Sequence, residues 1–272
     1  MEIDGKKLAG EIIDALKQKP TPKKFMAVFL VGDDPASASF VRQKEKTGKT
    51  LGIDFRVYRF PDTITSDELR REVGKTALQK KCGGVVVQLP LPDGVNAQYV
   101  LNAIPREKDV DVLGERALGS FYTGRNPVTP PAVGTVECIL QASSFQLSAV
   151  RAAVVGRGAL VGRPVALWLM DKVAELAVFT SKTEKMEEKL KEYDLIVSGV
   201  GKAGLIKPEQ LKEGAIVIDF GYDEVDGEVR GDFAVPNELK AESYKLMYTP
   251  TPGGTGPVLV AQLFKNFYIL TH

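Results

Sequence analysis

Histidine is almost missing from this 272-residue chain: the one imidazole is the terminal residue, His272. That argues against serine–histidine and cysteine–histidine nucleophilic sites and against histidine-bearing metal centres. Proton transfer then falls to Lys, Asp, Glu, Tyr or bound water. Cysteine is nearly as scarce. Cys82 and Cys138 stand far apart, form no C-x-x-C pair and read as packed thiols of a reducing, intracellular setting. An excess of either charge is also lacking. The 36 basic and 35 acidic residues leave a formal net charge of +1, which argues against a chain built around a nucleic acid. No apolar run reaches membrane-spanning length, and the polar start Met1-Glu-Ile-Asp-Gly-Lys-Lys7 does not resemble a signal peptide, so a cytoplasmic protein is expected.

What is present is an ordinary globular composition, 44% apolar and 26% charged, on a chain long enough for two modest domains. Strand and helix patterns alternate in two blocks. In the first, the apolar run Phe25–Val31, the stretch 55–60 and Val85–Val87 read as strands. A helical stretch from about Ser37 to Leu51 separates the first two. A helix opened by the capping box Thr65-Ser-Asp-Glu68 separates the next two. In the second block, strands are expected at 152–155, 176–179, 195–197 and 215–219, with the Trp168 helix, a charged helix over 185–191 and a short helix opened by Pro208 between them. Turn formers fill 123–131 and 249–257, and an apolar helix is expected from Val258 to about Phe267. The expectation is two α/β domains, the second of Rossmann type, with an active-site cleft between them.

The most informative stretch runs from Ala152 through Gly156, Arg157, Gly158 and Gly162 to Met170. Strand, glycine turn and helix is the arrangement that offers backbone N–H groups to a pyrophosphate. The spacing is G-x-G-x-x-x-G, one residue longer than the usual fingerprint, and a strand-to-helix turn without a ligand is the alternative. The following strand ends in Thr180-Ser-Lys-Thr183 with no acid to hold ribose hydroxyls, and Arg157 lies in the turn, so NADP is favoured over NAD. Ser181 and Thr183 as caps of the next helix are the plainer reading.

Other polar residues fall at strand ends, where ligands of parallel sheets collect. Gln88 is one, with an amide satisfied by a loop as its plain alternative. Asp33 and Asp34 read as the turn and cap of the following helix. Phe40 and Lys44 share a helix face at i, i+4 spacing, yet Lys44, Lys46 and Lys49 also suit a solvated basic face. Asp109 and Asp111 stand in a loop where a turn role is the bland alternative. The 252–257 loop lacks the Gly-Lys-Ser/Thr of a Walker loop.

Taken in order, these stretches resemble the bifunctional methylenetetrahydrofolate dehydrogenase/methenyltetrahydrofolate cyclohydrolase family over nearly the whole chain. The likeness rests on Val31-Gly-Asp-Asp-Pro-Ala-Ser37, Val41-Arg-Gln-Lys44, Val87-Gln-Leu-Pro-Leu-Pro92 and Lys108-Asp-Val-Asp111. It continues through Thr129-Pro-Pro-Ala-Val-Gly134, Val155–Pro164 and Thr249-Pro-Thr-Pro-Gly-Gly-Thr-Gly-Pro257. The resemblance implies oxidation of 5,10-methylenetetrahydrofolate with NADP, then hydrolysis to 10-formyltetrahydrofolate. An NADP-dependent dehydrogenase with weak or absent cyclohydrolase activity is the alternative. It implies one-carbon metabolism and purine biosynthesis, tetrahydrofolate partners, a homodimer, and neither metal, nucleic acid nor membrane.

By the same resemblance the catalytic residues are Lys44, Gln88 and Asp111. Folate contacts are Phe40, Val87, Leu89, Pro252, Gly253, Gly254, Thr255 and Gly256. Cofactor contacts are Gly156, Arg157, Gly158, Ser181 and Tyr222. The folate-binding catalytic domain takes residues 1–140 with 250–272, and the NADP-binding domain takes 141–249. Three positions depart from the family's pattern: Phe40 stands where Tyr is usual, Gly158 where Ser is usual, and Thr180 where His is common.

Overall fold

The computed structural model describes residues 1–235 and 244–272. These divide into two compact units, one of Gly10–Pro131 with Val260–His272 and one of Met1–Ala9 with Ala132–Leu259. The elements run α1 (Gly5–Lys17), β1 (Phe25–Val31), α2 (Pro35–Thr50), β2 (Phe55–Phe60), α3 (Ser66–Ala77), β3 (Cys82–Val87), α4 (Ala97–Leu101), α5 (Glu115–Tyr122) and α6 (Pro131–Ala142). They continue with β4 (Arg151–Val155), α7 (Gly162–Leu169), β5 (Glu175–Phe179), α8 (Met186–Lys189), β6 (Leu195–Ser198), β7 (Ile216–Asp219), β8 (Asp223–Val225), β9 (Glu228–Arg230), β10 (Met247–Tyr248) and α9 (Thr255–Thr271).

In the Gly10–Pro131 unit a parallel sheet has the order β2-β1-β3. Its central strand β1 is apolar at all seven positions and buried at every one, as a strand covered on both faces must be. Alternate residues feed two cores. Met26, Val28 and Leu30 join Phe264 and Phe267 of α9, while Phe25, Ala27, Phe29 and Val31 join Leu69 and Val73 of α3. Phe29 stacks on Tyr58 with ring centroids 5.0 Å apart. Each such fully buried side chain contributes about 1.5–3 kcal/mol.

Gly83 and Gly84 open β3 because α9 lies against them. A Cβ on Gly84 would stand 2.7 Å from the Phe267 ring and 2.8 Å from Val110. The helix starts match their sequence signals. Asp34 caps α2 by accepting the Ser37 N–H at 2.7 Å, and Thr65 with Glu68 closes the capping box of α3.

The other unit holds a parallel sheet of order β10-β7-β6-β4-β5. The chain leaves β4 for β5 on one side and returns to β6 on the other. A topological switch point therefore lies at the carboxyl ends of β4 and β6, the binding position in doubly wound sheets. The N-terminal residues belong to this unit because Glu2 bridges Tyr248, with Ile3 N–H donating to the Tyr248 carbonyl at 2.8 Å.

Several elements differ from the sequence expectation. The β3 strand starts at Cys82, since two glycines do not stop a strand when a helix covers them. The last helix starts at Thr255 and runs to Thr271. The 185–191 stretch divides into α8 and a 3-10 turn over Leu190–Glu192, and Pro208 opens a 3-10 turn. Helix α1 and the β8–β9 hairpin carry no signal that the sequence reading used.

Candidate active site

In the Gly10–Pro131 unit, Lys44 and Gln88 come together from α2 and the end of β3. Lys44 lies on the inward face of α2 with Val41 and Gly48 and is 7% exposed, whereas Lys46 and Lys49 are solvated. Its Nζ donates to Gln88 Oε1 at 2.8 Å, and Gln88 Nε2 donates to the Leu89 carbonyl at 2.8 Å. The glutamine thus has one amide end on the loop, as its plain reading expected, and the other on the lysine. Gln88 continues the β3 ladder through its N–H to the Phe29 carbonyl at 2.9 Å, so the backbone that carries it is fixed by the sheet.

Asp111 lies close enough to Lys44 for the two charges to act on each other. Burial pulls the Lys44 pKa below that of an ordinary lysine, and the Asp111 charge opposes the shift. Burial likewise pushes the Asp111 carboxyl up, opposed by Lys44. The result is a desolvated lysine that gives up its proton more readily than an exposed one, within electrostatic reach of a carboxyl that is harder to ionise.

Phe40 sits one turn before Lys44 and is half-buried. Val87 is 2% exposed and its side chain packs in the Phe29–Leu69 core, so only its backbone is available to a ligand. Leu89 is half-buried against the same core. The Leu89–Pro90 peptide is cis. Asp109, adjacent to this cluster, is a buried carboxyl 1% exposed. Burial first, and the Asp111 charge as well, push its pKa up to about 7. Sequence reading gave it a turn role, because no local pattern distinguishes a buried acid from a solvated one.

The second cluster lies in the Ala132–Leu259 unit at the switch point. Gly156 follows β4 with φ +99°, and its N–H donates to the Phe179 carbonyl at 2.8 Å. Gly162 opens α7 directly against this turn. A Cβ there would run into the Gly156 carbonyl oxygen and stand 2.9 Å from Arg157 Cα. The turn is therefore as tight as the glycine spacing implied. Around Gly158 the space is open, with nothing within 4 Å of an added Cβ.

At the end of β5, Thr180 N–H donates to Thr183 Oγ1 at 3.0 Å and Lys182 N–H donates to Thr180 Oγ1 at 3.2 Å. Those bonds fold a local turn, and α8 starts beyond it at Met186 without a side-chain cap. Ser181, Lys182 and Arg157 are exposed, and Tyr222 is 37% exposed on the loop after β7.

Two buried acids that the sequence reading did not select brace the loops of this unit. Asp232 accepts the Ser198 hydroxyl at 2.6 Å and the N–H groups of Val200 and Lys202, each at 2.7 Å. Asp219 accepts the N–H groups of Gly221 at 2.7 Å and Phe233 at 2.9 Å, and burial raises its pKa to about 6. The 252–256 loop is tied to the same strand end. Thr255 donates to the Asp219 carbonyl at 2.7 Å, and Asp219 N–H donates to Thr249 Oγ1 at 2.8 Å. In this loop Gly253 has φ +104° and the Thr251–Pro252 peptide is cis, while Pro252 is exposed and Gly254 buried.

Cradle and polar rim suit a dinucleotide phosphate. A Cβ would fill the glycine turn, and the end of β5 presents hydroxyls and a lysine where an NAD-preferring site carries an acid.

Residues 3–111 match the catalytic domain of tetrahydrofolate dehydrogenase/cyclohydrolase, and residues 127–272 match its NAD(P)-binding domain. The bifunctional protein FolD of Halothermothrix orenii is 38% identical, over 97% of this chain and 95% of its own length. The FolD protein of Bacillus subtilis is 35% identical over 97% and 95%. The crystal structure of the bifunctional FolD enzyme from Campylobacter jejuni superposes with a TM-score of 0.92 at 31% identity, covering 100% of this chain and 98% of that one. The Trypanosoma brucei enzyme, complexed with NADP and an inhibitor, superposes with a TM-score of 0.92 at 28% identity, covering 100% and 97%. The chain belongs to the tetrahydrofolate dehydrogenase/cyclohydrolase family.

Proposed function

We propose that the protein oxidises 5,10-methylenetetrahydrofolate with NADP⁺ and hydrolyses the resulting 5,10-methenyl cation to 10-formyltetrahydrofolate. The observation that carries the reading is the buried Lys44, held by Gln88 and opposed by Asp111. The tetrahydrofolate is assigned to the Gly10–Pro131 unit and NADP to the Ala132–Leu259 unit.

NADP⁺, when bound, supplies the two-electron acceptor of the first step. Arg157 and Gly158 would hold its pyrophosphate through the backbone of the turn, which Gly156 shapes while its own N–H stays on the Phe179 carbonyl. Arg157 and Ser181 hold the 2′-phosphate, and Tyr222 borders the nucleotide. The Asp111 carboxylate accepts hydrogen bonds from the amino and ring N–H groups of the pterin. Phe40, Leu89 and the Val87 backbone border the folate.

In the second step water adds to the cationic carbon between N5 and N10. Lys44, easier to deprotonate than an exposed lysine, takes the water's proton in its neutral form. The proton passes to N5 as the carbon–N5 bond opens, and the second proton of the water leaves the hydroxyl for solvent as the carbonyl forms, leaving the formyl group on N10. Gln88 keeps the Lys44 ammonium pointed at one place through both steps by accepting its hydrogen bond.

The product suits one-carbon transfers such as those of purine biosynthesis. Free Cys82 and Cys138 suit the cytoplasm. β5 ends the five-stranded sheet with Val178 43% exposed, which supports a homodimer joined through this unit. A coupled assay run in parallel with NADP⁺ and NAD⁺ tests the reading. NADPH and 10-formyltetrahydrofolate are expected in equal amounts, faster with NADP⁺ than with NAD⁺. Methenyltetrahydrofolate accumulating in place of the formyl product would remove the hydrolytic half.

A further inference from the structure

The residue after Asp111 is in an unusual state. Val112 has φ +58° although it is β-branched, and it is fully buried beside Ala117 and Val128. Left-handed backbone is a genuine outlier for such a residue and persists only where its surroundings over-determine it. The main chain before it is fixed. Asp109 bridges Val85 of β3, and the Val110 carbonyl accepts a hydrogen bond from Asn266 Nδ2 at 2.9 Å. Beyond Val112, the Oδ2 of Asp109 accepts the N–H of Leu113 at 3.1 Å and of Gly114 at 2.8 Å. A Cβ on Gly114 would stand 3.1 Å from that oxygen, so the clamp closes on bare backbone. The other oxygen, Oδ1, is buried with no hydrogen-bond partner. A carboxyl retained at that cost points to what Oδ2 does.

We propose that Asp109 is a positioning residue for Asp111: its Oδ2 ties Leu113 and Gly114 back across the turn and thereby holds Val112 left-handed, which fixes the main chain that carries Asp111. Without the clamp Val112 relaxes toward negative φ. Residue 109 is tied to β3 and Val110 to Asn266, so the backbone free to swing on that side is that of Asp111. The inference rests on the reading of Asp111 as the carboxylate that binds the folate.

The test measures KM for methylenetetrahydrofolate and for NADP⁺, with the thermal midpoint, in Asp109→Ala, Asp109→Asn, Val112→Gly, the Asp109→Ala/Val112→Gly double variant and Asp111→Asn. Asp109→Ala is expected to raise the folate KM about tenfold or more while the NADP⁺ KM stays within about twofold, a split that loss of folded protein does not produce. Asp109→Asn keeps an acceptor for both amides and stays within about threefold of the parent. Glycine takes φ +58° without a clamp, so Val112→Gly returns the Asp109→Ala folate KM to within about threefold.

A folate KM unchanged in Asp109→Ala, while Asp111→Asn raises it, overturns the inference and leaves the reading of Asp111 standing. An unchanged folate KM in Asp111→Asn overturns that reading, and the inference with it. If Asp109→Ala does not fold, the double variant decides. A parental folate KM supports the clamp, and a KM as high as that of Asp111→Asn overturns it.

Discussion

The Lys44 cluster and the Gly156–Gly162 turn are built by opposite means. The first uses side chains taken out of water. Lys44 is buried, its hydrogen bond to Gln88 spans 44 residues of sequence, and its charge is balanced by Asp111 from a third segment. The second uses backbone. Its active surface is a glycine turn whose tightness comes from the lack of side chains, rimmed by exposed Arg157 and Ser181. Buried charge is costly and can therefore be tuned; a glycine turn offers shape and N–H groups and has little to tune. On the proposed reading, the proton-moving half of the reaction uses the first kind of material and the recognition of phosphate the second.

The largest way to break the contrast is Lys44→Met. It removes the one basic nitrogen of the cluster while keeping an unbranched, apolar side chain in the same space. The cyclohydrolase rate is expected to fall by about 10²–10⁴-fold, the usual contribution of a positioned acid–base group, with the NADP⁺ KM little changed. Hydrolysis measured from the loss of methenyltetrahydrofolate checks this, and unchanged turnover would remove Lys44 from its role.

The buried acids offer a second break, one that pH reveals. Asp109 carries a pKa of about 7 in the folded chain against 3.8 when exposed. The folded state therefore holds this proton more tightly than the unfolded state does. The group's contribution to stability is greatest below pH 4, falls as pH rises toward 7, and is flat above it. Burying the charge costs on the order of 4 kcal/mol, of which about 2–3 kcal/mol falls between pH 5 and 8. Asp109→Asn removes that slope. Urea unfolding of both proteins at pH 5 and pH 8 is expected to show the variant gaining on the parent by this amount at the higher pH. A difference independent of pH would show that Asp109 is not held neutral.

Gly162→Ala attacks the other region. The new Cβ falls on the Gly156 carbonyl oxygen and lies 2.9 Å from Arg157 Cα, so backbone has to move. Overpacking of this kind costs about 1–3 kcal/mol. The NADP⁺ KM is expected to rise several-fold while the folate KM holds, the reverse of the split expected at Asp109. Initial rates with each substrate varied in turn measure both.

The same contrast explains what could be read from the sequence. Both sheets were legible, because β1 is apolar throughout and β4 is apolar after Arg151, and in the first sheet the helices α2 and α3 have caps at Asp34 and Thr65. The glycine turn was legible too, since strand, glycines and helix are consecutive. The Lys44 cluster was not legible from residue types alone. On a helix with Lys46 and Lys49, the buried lysine looks like its solvated neighbours, and only the ordered family motifs singled it out. Asp109, Asp219 and Asp232 escaped for the same reason. Asp109 and Asp232 sit in loops and Asp219 ends the apolar strand β7, and the burial of each depends on segments distant in sequence. Val112 escaped because nothing in a Val-Asp-Val-Leu string announces a left-handed backbone; the clamp that enforces it acts from residue 109.

The smallest effect is expected at Gly158, where the resemblance implies a serine and nothing steric requires glycine. Gly158 has open space around it, and its φ lies outside the left-handed range that would require glycine. A serine there adds a hydroxyl beside the proposed pyrophosphate site and displaces no atom. One such hydrogen bond is worth about 0.5–1.5 kcal/mol, so Gly158→Ser is expected to lower the NADP⁺ KM by roughly two- to tenfold and leave the folate KM and cyclohydrolase rate as they were. The substitution also reduces the freedom of the unfolded chain, which favours the folded state slightly. A rise in NADP⁺ KM would mean that the cofactor backbone approaches Gly158 more closely than a side chain permits, making this glycine, like Gly162, a part of the cradle.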